Sequence, residues 1–244
     1  MSNNSKNKSA VVFFNDHGIP ISSAFDDIYF SVENGLNESQ YVFLSNNDIP
    51  HRWQQSHIND FHIAETGFGT GLNFFVTWQL FNKTKKQGDR LIFTSFEKYP
   101  LKHDEIKRAL SVWPELNEMV EIFLKQYPLD IFEDITLIFQ EQQVQLNLII
   151  GDVNKRIPEL NLAPHNKINA WFLDGFAPSK NPDMWSQNLF NEMARLASDD
   201  CTVATFTAAG FVRRGLQSAG FSMKKQKGFG FKREMLIGKF QASK

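Results

Sequence analysis

From residue 61 onward, short apolar runs alternate with segments whose apolar residues recur at helical spacing. This alternation is typical of an α/β fold, in which buried parallel strands take turns with amphipathic helices. Earlier in the chain, apolar and aromatic pieces stand between turn signals and show little helical period. We therefore expect a disordered start over residues 1–10, a β-rich appendage that extends to residue 58, and a main α/β domain over residues 59–244.

The pattern predicts individual elements without internal repeats or low-complexity linkers. The predicted strands are 11–14, 61–65, 91–96, 135–139, 144–150, 168–173, 202–207, 221–227 and 231–240. The predicted helices are 72–81, 102–113, 117–127, 153–160, 188–196 and 210–219.

A glycine-rich turn follows the first strand of the main domain. The strand ends at Glu65, and Gly67, Gly69 and Gly71 precede a helix that begins at Leu72. Glycines let the backbone turn tightly and let a ligand approach, and this turn lies at the ligand-binding edge of an open sheet. Leu72 replaces the third glycine of the dinucleotide fingerprint, which disfavours an NAD-dependent oxidoreductase. The pattern instead resembles motif I of S-adenosyl-L-methionine (SAM) methyltransferases, although an ordinary structural turn is the alternative.

Acidic residues end four of the predicted strands: Glu65, Glu97, Asp152 and Asp174. Because parallel strands share one carboxyl edge, these acids are expected to meet there around a ligand. In a SAM site, Glu97 would accept the ribose hydroxyls, and Asp152 the adenine amino group, with Val153 packed on the ring. Glu65 is expected near the methionine end. Taken singly, each acid is equally well explained as a helix N-cap.

Asp174 begins a loop in which two prolines and a glycine predict rigid, non-helical backbone. Its Asp-Gly-Phe-Ala-Pro sequence resembles the acidic-proline motif IV of methyltransferases that act on amino nitrogens. An alkyl amine is mostly protonated at neutral pH, so Asp174 would orient it and accept its proton, directly or through water. A turn-capping aspartate is the structural alternative. Phe176 and Trp185 are candidates for stacking on a base, or for burial at the hinge of the loop.

Positive charge concentrates between residues 213 and 239, where Phe229 and Phe231 alternate with glycines. Basic and aromatic residues on a hairpin suit the backbone and splayed bases of RNA. The alternative is a solvated strand edge that lysines protect from pairing. Since the net charge of the chain is −1, any nucleic-acid surface must be local.

Composition excludes several other classes. Cys201 is the one cysteine, and the six histidines show no metal-ligand spacing, so we expect neither a disulfide nor a metal site. The polar N-terminus lacks the apolar core of a signal peptide, and no apolar run is long enough to cross a bilayer. A cytoplasmic protein without a membrane partner is therefore expected.

Several segments together resemble the N-terminal methyltransferase domain of the MnmC family, the bifunctional tRNA 5-methylaminomethyl-2-thiouridine biosynthesis proteins. These segments are 25–31, 41–44, 65–73, 95–98, 171–185, 204–207, 210–216, 227–230 and 232–235. The resemblance implies a class I SAM-dependent methyltransferase fold, Rossmann-like, with a seven-stranded, mostly parallel sheet and a small β-rich N-terminal appendage. It implies methylation of 5-aminomethyl-2-thiouridine at the tRNA wobble position to 5-methylaminomethyl-2-thiouridine.

In that family a FAD-dependent oxidase domain follows the methyltransferase and generates the amine. No second glycine-rich nucleotide turn occurs in this chain, so no FAD site is expected in it. The expected partners are tRNA and an oxidase domain that is covalently linked or separate. The chain is expected to be an excised domain or a stand-alone methyltransferase.

The patterns and the resemblance together give the expected site, with Asp174 as the catalytic residue. The expected cofactor-binding residues are Glu65, Gly67, Phe68, Gly69, Gly71, Asn73, Glu97, Lys98, Asp152, Val153 and Asp174. The expected substrate-binding residues are Phe176, Pro178, Arg213, Arg214, Lys225, Lys232 and Arg233. Two alternatives stay open: a SAM methyltransferase of a small amine or a protein, and a non-catalytic RNA-binding module.

Overall fold

The computed structural model describes residues 10–16, 18–30, 34–55 and 60–241, so the expected disorder of residues 1–9 falls outside the described residues. Its strands are β1 (Val12–Phe14), β2 (Pro20–Ser22), β3 (Asp27–Ile28), β4 (Asp60–Glu65), β5 (Arg90–Glu97), β6 (Ile135–Phe139), β7 (Val144–Ile150), β8 (Ile168–Phe172), β9 (Ala197–Thr205), β10 (Phe221–Lys227) and β11 (Glu234–Phe240). Its α-helices are α1 (Gly35–Ser39), α2 (Ile49–Gln55), α3 (Leu72–Thr84), α4 (His103–Leu110), α5 (Asn117–Leu124), α6 (Val153–Arg156), α7 (Gln187–Leu196) and α8 (Gly210–Ser218).

The main sheet has eight strands in the order β10-β11-β9-β8-β4-β5-β7-β6. The five central strands, from β9 to β7, are mutually parallel, and the outer strands pair antiparallel. The mostly parallel α/β class is confirmed, but the seven-strand count is wrong. The strand pattern after residue 59 already predicts eight strands, including the pair 135–139 and 144–150 that forms the β6–β7 hairpin, so the error lies in the count that the resemblance implies.

Apolar side chains cover both faces of the sheet. On one face, Phe74 of α3 packs its ring against Phe93 and Phe123, with ring centroids 5.4 and 6.4 Å apart. On the other face, residues of α7 and α8 pack with Trp171 and Val203 of the central strands. Helices therefore flank the sheet, and the central strands β4, β5 and β8 are almost wholly buried. Within the described ranges, no helix is both long and apolar enough to cross a membrane.

The N-terminal segment is only partly as predicted. Strands β1 to β3 form a small antiparallel sheet, in agreement with a β-rich appendage. The expectation of little helical period is wrong between residues 35 and 55, where α1, a π-helical segment (Gln40–Ser45) and α2 follow one another. Three consecutive apolar residues of the π-helical segment, 42–44, are buried, so the run shows no helical alternation. The boundary at residue 58 lies outside the described residues and stays a prediction.

Two strands begin more than one residue away from their predicted starts. Strand β9 begins at Ala197 because this residue pairs with Ile168 before a register shift in β8. The last strand begins at Glu234 rather than at residue 231. The preceding residues form a turn, in which the N–H of Lys232 donates to the carbonyl of Phe229 at 3.0 Å.

Candidate functional site

A cavity of about 770 Å³ opens at the carboxyl edge of β4, β5, β7 and β8. The glycine turn, the ends of these strands and the loop after β8 line one side of it. The turn after β2, helix α1 and the hairpin between β10 and β11 line the other. The expected meeting of strand ends at one edge is therefore present. The remaining question is which predicted side chains reach the cavity.

The glycine turn has the backbone that its sequence requires. Gly69 and Gly71 have φ values of +53° and +80°, which side chains disfavour. A Cβ on Gly71 would lie 2.8 Å from the Phe68 ring, and one on Gly69 would lie 3.1 Å from the Tyr29 ring. Gly67, Phe68 and Gly69 line the cavity, whereas Gly71 is the N-cap of α3 behind it.

Glu97 is clamped at the end of β5. Its carboxylate accepts from the backbone N–H of Gly69 at 2.8 Å and from that of Tyr99 at 2.7 Å. Burial raises the pKa of Glu97, while these donors oppose the rise. Glu97 thus lines the cavity as a carboxylate that backbone donors hold in place.

Lys98 and Asp152 form an ion pair of 2.9 Å across the ends of β5 and β7. Asp152 also accepts from the N–H of Asn154 and so caps α6. Burial is the largest single influence and raises the pKa of Asp152, but the hydrogen bond and charge of Lys98, together with Asn154 and Lys155, outweigh it and the net pKa is lowered. Asp152 thus caps a helix and also lines the cavity, as does Val153, so the two interpretations of Asp152 are compatible.

Glu65 does not line the cavity, contrary to the expected position beside a ligand. It is 1% exposed, and its two oxygens accept from Asn73 Nδ2 at 2.7 Å and from Ser95 Oγ at 2.8 Å. Burial, with the nearby Asp174 charge second, raises its pKa well above the usual range. Glu65 therefore supports Asn73 from beneath the cavity floor.

Asn73 connects the acids. Its Nδ2 donates to Glu65 Oε1 and to Asp174 Oδ2, each at 2.7 Å, and its Oδ1 accepts from Ser39 Oγ. The first turn of α3 thereby joins β4, the loop after β8 and α1. Ser39 belongs to no motif, and Ser95 lies in the family-like segment 95–98 without an assigned role, so sequence patterns do not predict these two hydrogen bonds.

Asp174 is held from three directions at the cavity. Asn73 donates to Oδ2, the N–H of Gly175 donates to Oδ1 at 2.8 Å, and Thr66 Oγ1 donates to the Asp174 carbonyl at 2.6 Å. Burial raises the pKa of Asp174 to about 6, and the two donors to its carboxylate oppose that rise. The Gly175 bond is the predicted turn-capping interaction, and it coexists with a carboxylate that lines the cavity.

The loop after Asp174 packs against the N-terminal turn. Phe176 stacks on Phe25 with ring centroids 4.6 Å apart, and Tyr29 meets Phe176 edge-on at 5.2 Å. Lys180 pairs with Asp26 at 3.1 Å. Phe176 lines the cavity, but Trp185 is 3% exposed. Trp185 donates to the Phe176 carbonyl at 3.2 Å and is thus the buried hinge, not a stacking surface.

The predicted substrate-binding residues are spread out. Lys232 lines the cavity, and Pro178 lines a shallower groove beside it. The other predicted basic residues line neither: Arg213, Arg214, Lys225 and Arg233. Lys225 is paired with Glu234 at 2.7 Å. Cys201 is buried, and the described residues contain no group of three or more His, Cys, Asp or Glu that could hold a metal.

Comparison with known proteins identifies the family. A family model described as S-adenosyl-L-methionine-dependent methyltransferase matches residues 114–241, just over half of the chain. The tRNA 5-methylaminomethyl-2-thiouridine biosynthesis bifunctional protein MnmC of Vibrio campbellii is 51% identical over 239 residues, covering 96% of this chain and 36% of that protein. The MnmC protein of Aliivibrio fischeri is 49% identical, covering 94% and 35%. The chain thus spans about a third of the length of these curated relatives.

A solved structure shares the fold. The crystal structure of MNMC2 from Aquifex aeolicus superposes with a TM-score of 0.74 at 21% identity, covering 98% of this chain and 73% of that one. Because the family model matches more than half of its residues, the chain belongs to the S-adenosyl-L-methionine-dependent methyltransferase family.

Proposed function

We propose that this chain transfers a methyl group from SAM to the amine of 5-aminomethyl-2-thiouridine at the tRNA wobble position, giving 5-methylaminomethyl-2-thiouridine. One observation carries the proposal: a carboxylate with a pKa of about 6, Asp174, is fixed in the cavity beside the glycine turn. The 51% identity to a protein named for the biosynthesis of this nucleoside supports the substrate.

The residues at the sheet edge fit SAM. Glu97 offers a fixed carboxylate to the two ribose hydroxyls, and Asp152 with Val153 offers an acceptor and an apolar face to adenine. Gly67 and Gly69 line the cavity without a side chain, where the methionine part would lie. Lys98 would hold Asp152 in place through their ion pair.

The chemistry divides between cofactor and protein. When bound, SAM supplies a methyl group on a sulfonium, so the leaving sulfur needs no metal. Asp174 would accept a hydrogen bond from the amine and direct its lone pair toward the methyl carbon. An alkyl ammonium has a pKa of about 10, so a proton must leave before attack, and Asp174 would receive it directly or through water. Asn73 and Gly175 would hold the carboxylate in the required orientation.

The tRNA would approach the cavity over Phe176, which lines it, and over Pro178, which lines the adjoining groove. Arg214, Lys225 and Arg233 are exposed on α8 and the terminal hairpin, where they would contact phosphates around the wobble nucleotide. Phosphate contacts would position the tRNA, and the cavity would select the modified base.

The amine must come from a preceding reaction. The relatives are named bifunctional and are about three times longer than the match. We infer that a FAD-dependent oxidase domain, in the same chain or separate, supplies the amine, and that the enzyme works in the cytoplasm with tRNA.

The test uses methyl-labelled SAM and two tRNAs, one with the aminomethyl wobble uridine and one without this amine. Label in the first alone would establish the reaction and its acceptor. Label in both would assign the acceptor to another nucleotide. Label in neither, under conditions in which SAM binds, would overturn the proposed substrate.

A further inference from the structure

A lysine ammonium lies in the cavity. Lys232 Nζ donates to Glu38 Oε1 at 2.6 Å, and both residues line the cavity. The same Nζ lies 4.9 Å from the centroid of the Phe206 ring. A carboxylate and an aromatic face are the two partners by which proteins recognise alkyl ammonium groups. The three side chains therefore form an ammonium site that the chain fills with its own lysine.

The site is next to Asp174 and not on a separate surface. Glu38 precedes Ser39, whose hydroxyl donates to Asn73, and Asn73 in turn donates to Asp174. The Glu38 charge raises and the Lys232 charge lowers the pKa of Asp174, so both lie within electrostatic reach of it. An ammonium held by Glu38 is thus close to the carboxylate that would receive its proton.

The hairpin fixes the position of Lys232. A Cβ on Gly228 would lie 2.3 Å from the Lys232 carbonyl oxygen, so only glycine permits this tight turn. The Gly228 N–H donates to the Arg233 carbonyl at 3.3 Å, and the Tyr41 hydroxyl ties the hairpin to the N-terminal segment through Lys227. Lys232 therefore reaches the cavity from backbone that is held on both sides.

The Lys232–Glu38 pair can be exchanged at little cost. The Lys232 side chain is 51% exposed and that of Glu38 is 25% exposed. Ion pairs with this exposure contribute little to stability because water competes with them. A second ammonium that also contacts Asp174 would replace Lys232 without loss of charge balance around Glu38.

We propose that Glu38 and the Phe206 ring bind the protonated aminomethyl group of the substrate, and that Lys232 occupies this site until the substrate displaces it. This inference rests on the proposed function and names the residues that give it specificity. The displaced Lys232 then turns outward into solvent. A wobble uridine with a neutral substituent leaves Lys232 in place and binds more weakly.

The experiment compares the affinities of two tRNAs, one with the aminomethyl group and one without it, for the whole chain loaded with S-adenosylhomocysteine. The discrimination ratio is the dissociation constant of the tRNA without the aminomethyl group divided by that of the tRNA with it. Contacts to the phosphate backbone are common to both tRNAs and cancel in this ratio. Glu38→Gln should lower the ratio about tenfold, since it removes a charge-assisted hydrogen bond to the ammonium. Lys232→Met should raise the ratio, because the ammonium that competes with the substrate is gone. This holds even if the variant binds both tRNAs more weakly.

Two further variants separate recognition from structure. Glu121→Gln breaks a comparable pair, Lys107–Glu121 at 2.8 Å on α4 and α5, and should leave the ratio unchanged. Glu38→Asp keeps the charge and should recover part of the discrimination. Melting temperature and SAM affinity, measured for each variant, show whether the fold is intact.

The possible results separate a failure of the proposed ammonium site from a failure of the proposed function. If wild-type protein methylates the aminomethyl tRNA but Glu38→Gln keeps the wild-type ratio, the ammonium site is wrong and the function stands. A fall in the ratio for Lys232→Met would also contradict the displacement. If wild-type protein neither methylates nor prefers the aminomethyl tRNA, the proposed function fails and the inference fails with it.

Discussion

The two sides of the cavity are held by different forces. The inner side, defined by Glu97, Asp174 and the glycine turn, stands on buried parallel strands and on hydrogen bonds of 2.6 to 2.8 Å. The outer side, defined by Tyr29, Glu38 and Lys232, stands on aromatic contacts and half-exposed ion pairs. Buried, mutually satisfied hydrogen bonds fix geometry, whereas exposed ion pairs exchange readily with solvent.

This contrast matches the two demands of a group transfer. The cofactor and the proton acceptor must be held in one geometry, because small displacements of reacting atoms slow the reaction strongly. The substrate side must admit and release a large tRNA. We therefore expect changes on the inner side to reduce rate or cofactor affinity by large factors, and changes on the outer side to alter substrate affinity more gently.

The largest effect is expected for Asp174→Asn, which keeps the shape of the side chain but cannot accept a proton. The methyl-transfer rate should fall about 10²–10⁴-fold, the usual contribution of general base catalysis. SAM affinity, measured by titration calorimetry, should change much less. Asp183→Asn, an exposed residue of the same loop, is the matched control. Full turnover by Asp174→Asn would remove this residue from the proposed chemistry.

Gly69→Val should disrupt the backbone of the glycine turn on the inner side of the cavity. The φ of +53° disfavours a β-branched residue, and the new Cβ would crowd the Tyr29 ring at 3.1 Å. SAM affinity should fall by at least about tenfold, equivalent to about 1.4 kcal/mol. The control is Gly88→Val. Gly88 also has a positive φ, but open space surrounds it and it does not line the cavity. Unchanged SAM affinity in Gly69→Val would place the cofactor elsewhere.

The pH dependence should follow Asp174. With a pKa of about 6, kcat/KM should decline about tenfold per pH unit below that value, as the base becomes protonated. The contribution of Asp174 to folding stability changes with pH in the opposite direction to kcat/KM. Because folding raises this pKa above its usual value, Asp174 contributes stability that is lost as pH rises from about 4 through 6. Asp174→Asn should lack this part of the loss in denaturant titrations, whereas the part due to the buried Glu65 and Glu97 remains. Identical curves for both proteins would contradict the raised pKa of Asp174.

Asn73→Ala should weaken the inner side without removing a reacting group. It leaves Glu65 and Asp174 each with one donor fewer, at a cost of about 1–3 kcal/mol in the free energy of unfolding. The pKa of Asp174 should rise, so the acidic limb of the kcat/KM profile should move to higher pH. Thr77→Val, which removes a buried hydrogen bond in the same helix, should lower stability but leave the pH profile unmoved.

The smallest effects are expected for the basic residues of the outer surface. Arg214→Gln and Arg233→Gln should each lower the affinity for both tRNAs by the same factor. Each should also reduce the slope of log affinity against log salt concentration by about 1. Lys83→Gln is a control, because α3 runs from the glycine turn away from the cavity edge and carries Lys83 in its last turn. An unchanged salt slope in both arginine variants would move the tRNA surface to another face.

Sequence patterns predicted the inner side better than the outer one. The strand that ends at Glu97 and the loop that opens at Asp174 are where the apolar runs and the prolines predict them. Glu65 was placed wrongly because an acid two residues before a glycine turn can point into the cavity or beneath it. Nothing in the local sequence shows that Asn73 and Ser95 occupy its two oxygens.

By itself, the sequence determined what short-range pattern controls: the order of strands and helices after residue 60, the glycine turn, and acids at the ends of neighbouring strands. Only the tertiary structure decided which acids reach the cavity and what encloses it. Helix α1 was missed because its five residues include one large apolar side chain, Leu36, which is too few for a periodic pattern. Glu38 and Lys232 lie 194 residues apart in the chain. Their meeting depends on how an N-terminal helix and a C-terminal hairpin pack against the same sheet, and packing between distant segments leaves no periodic signal in the residues themselves.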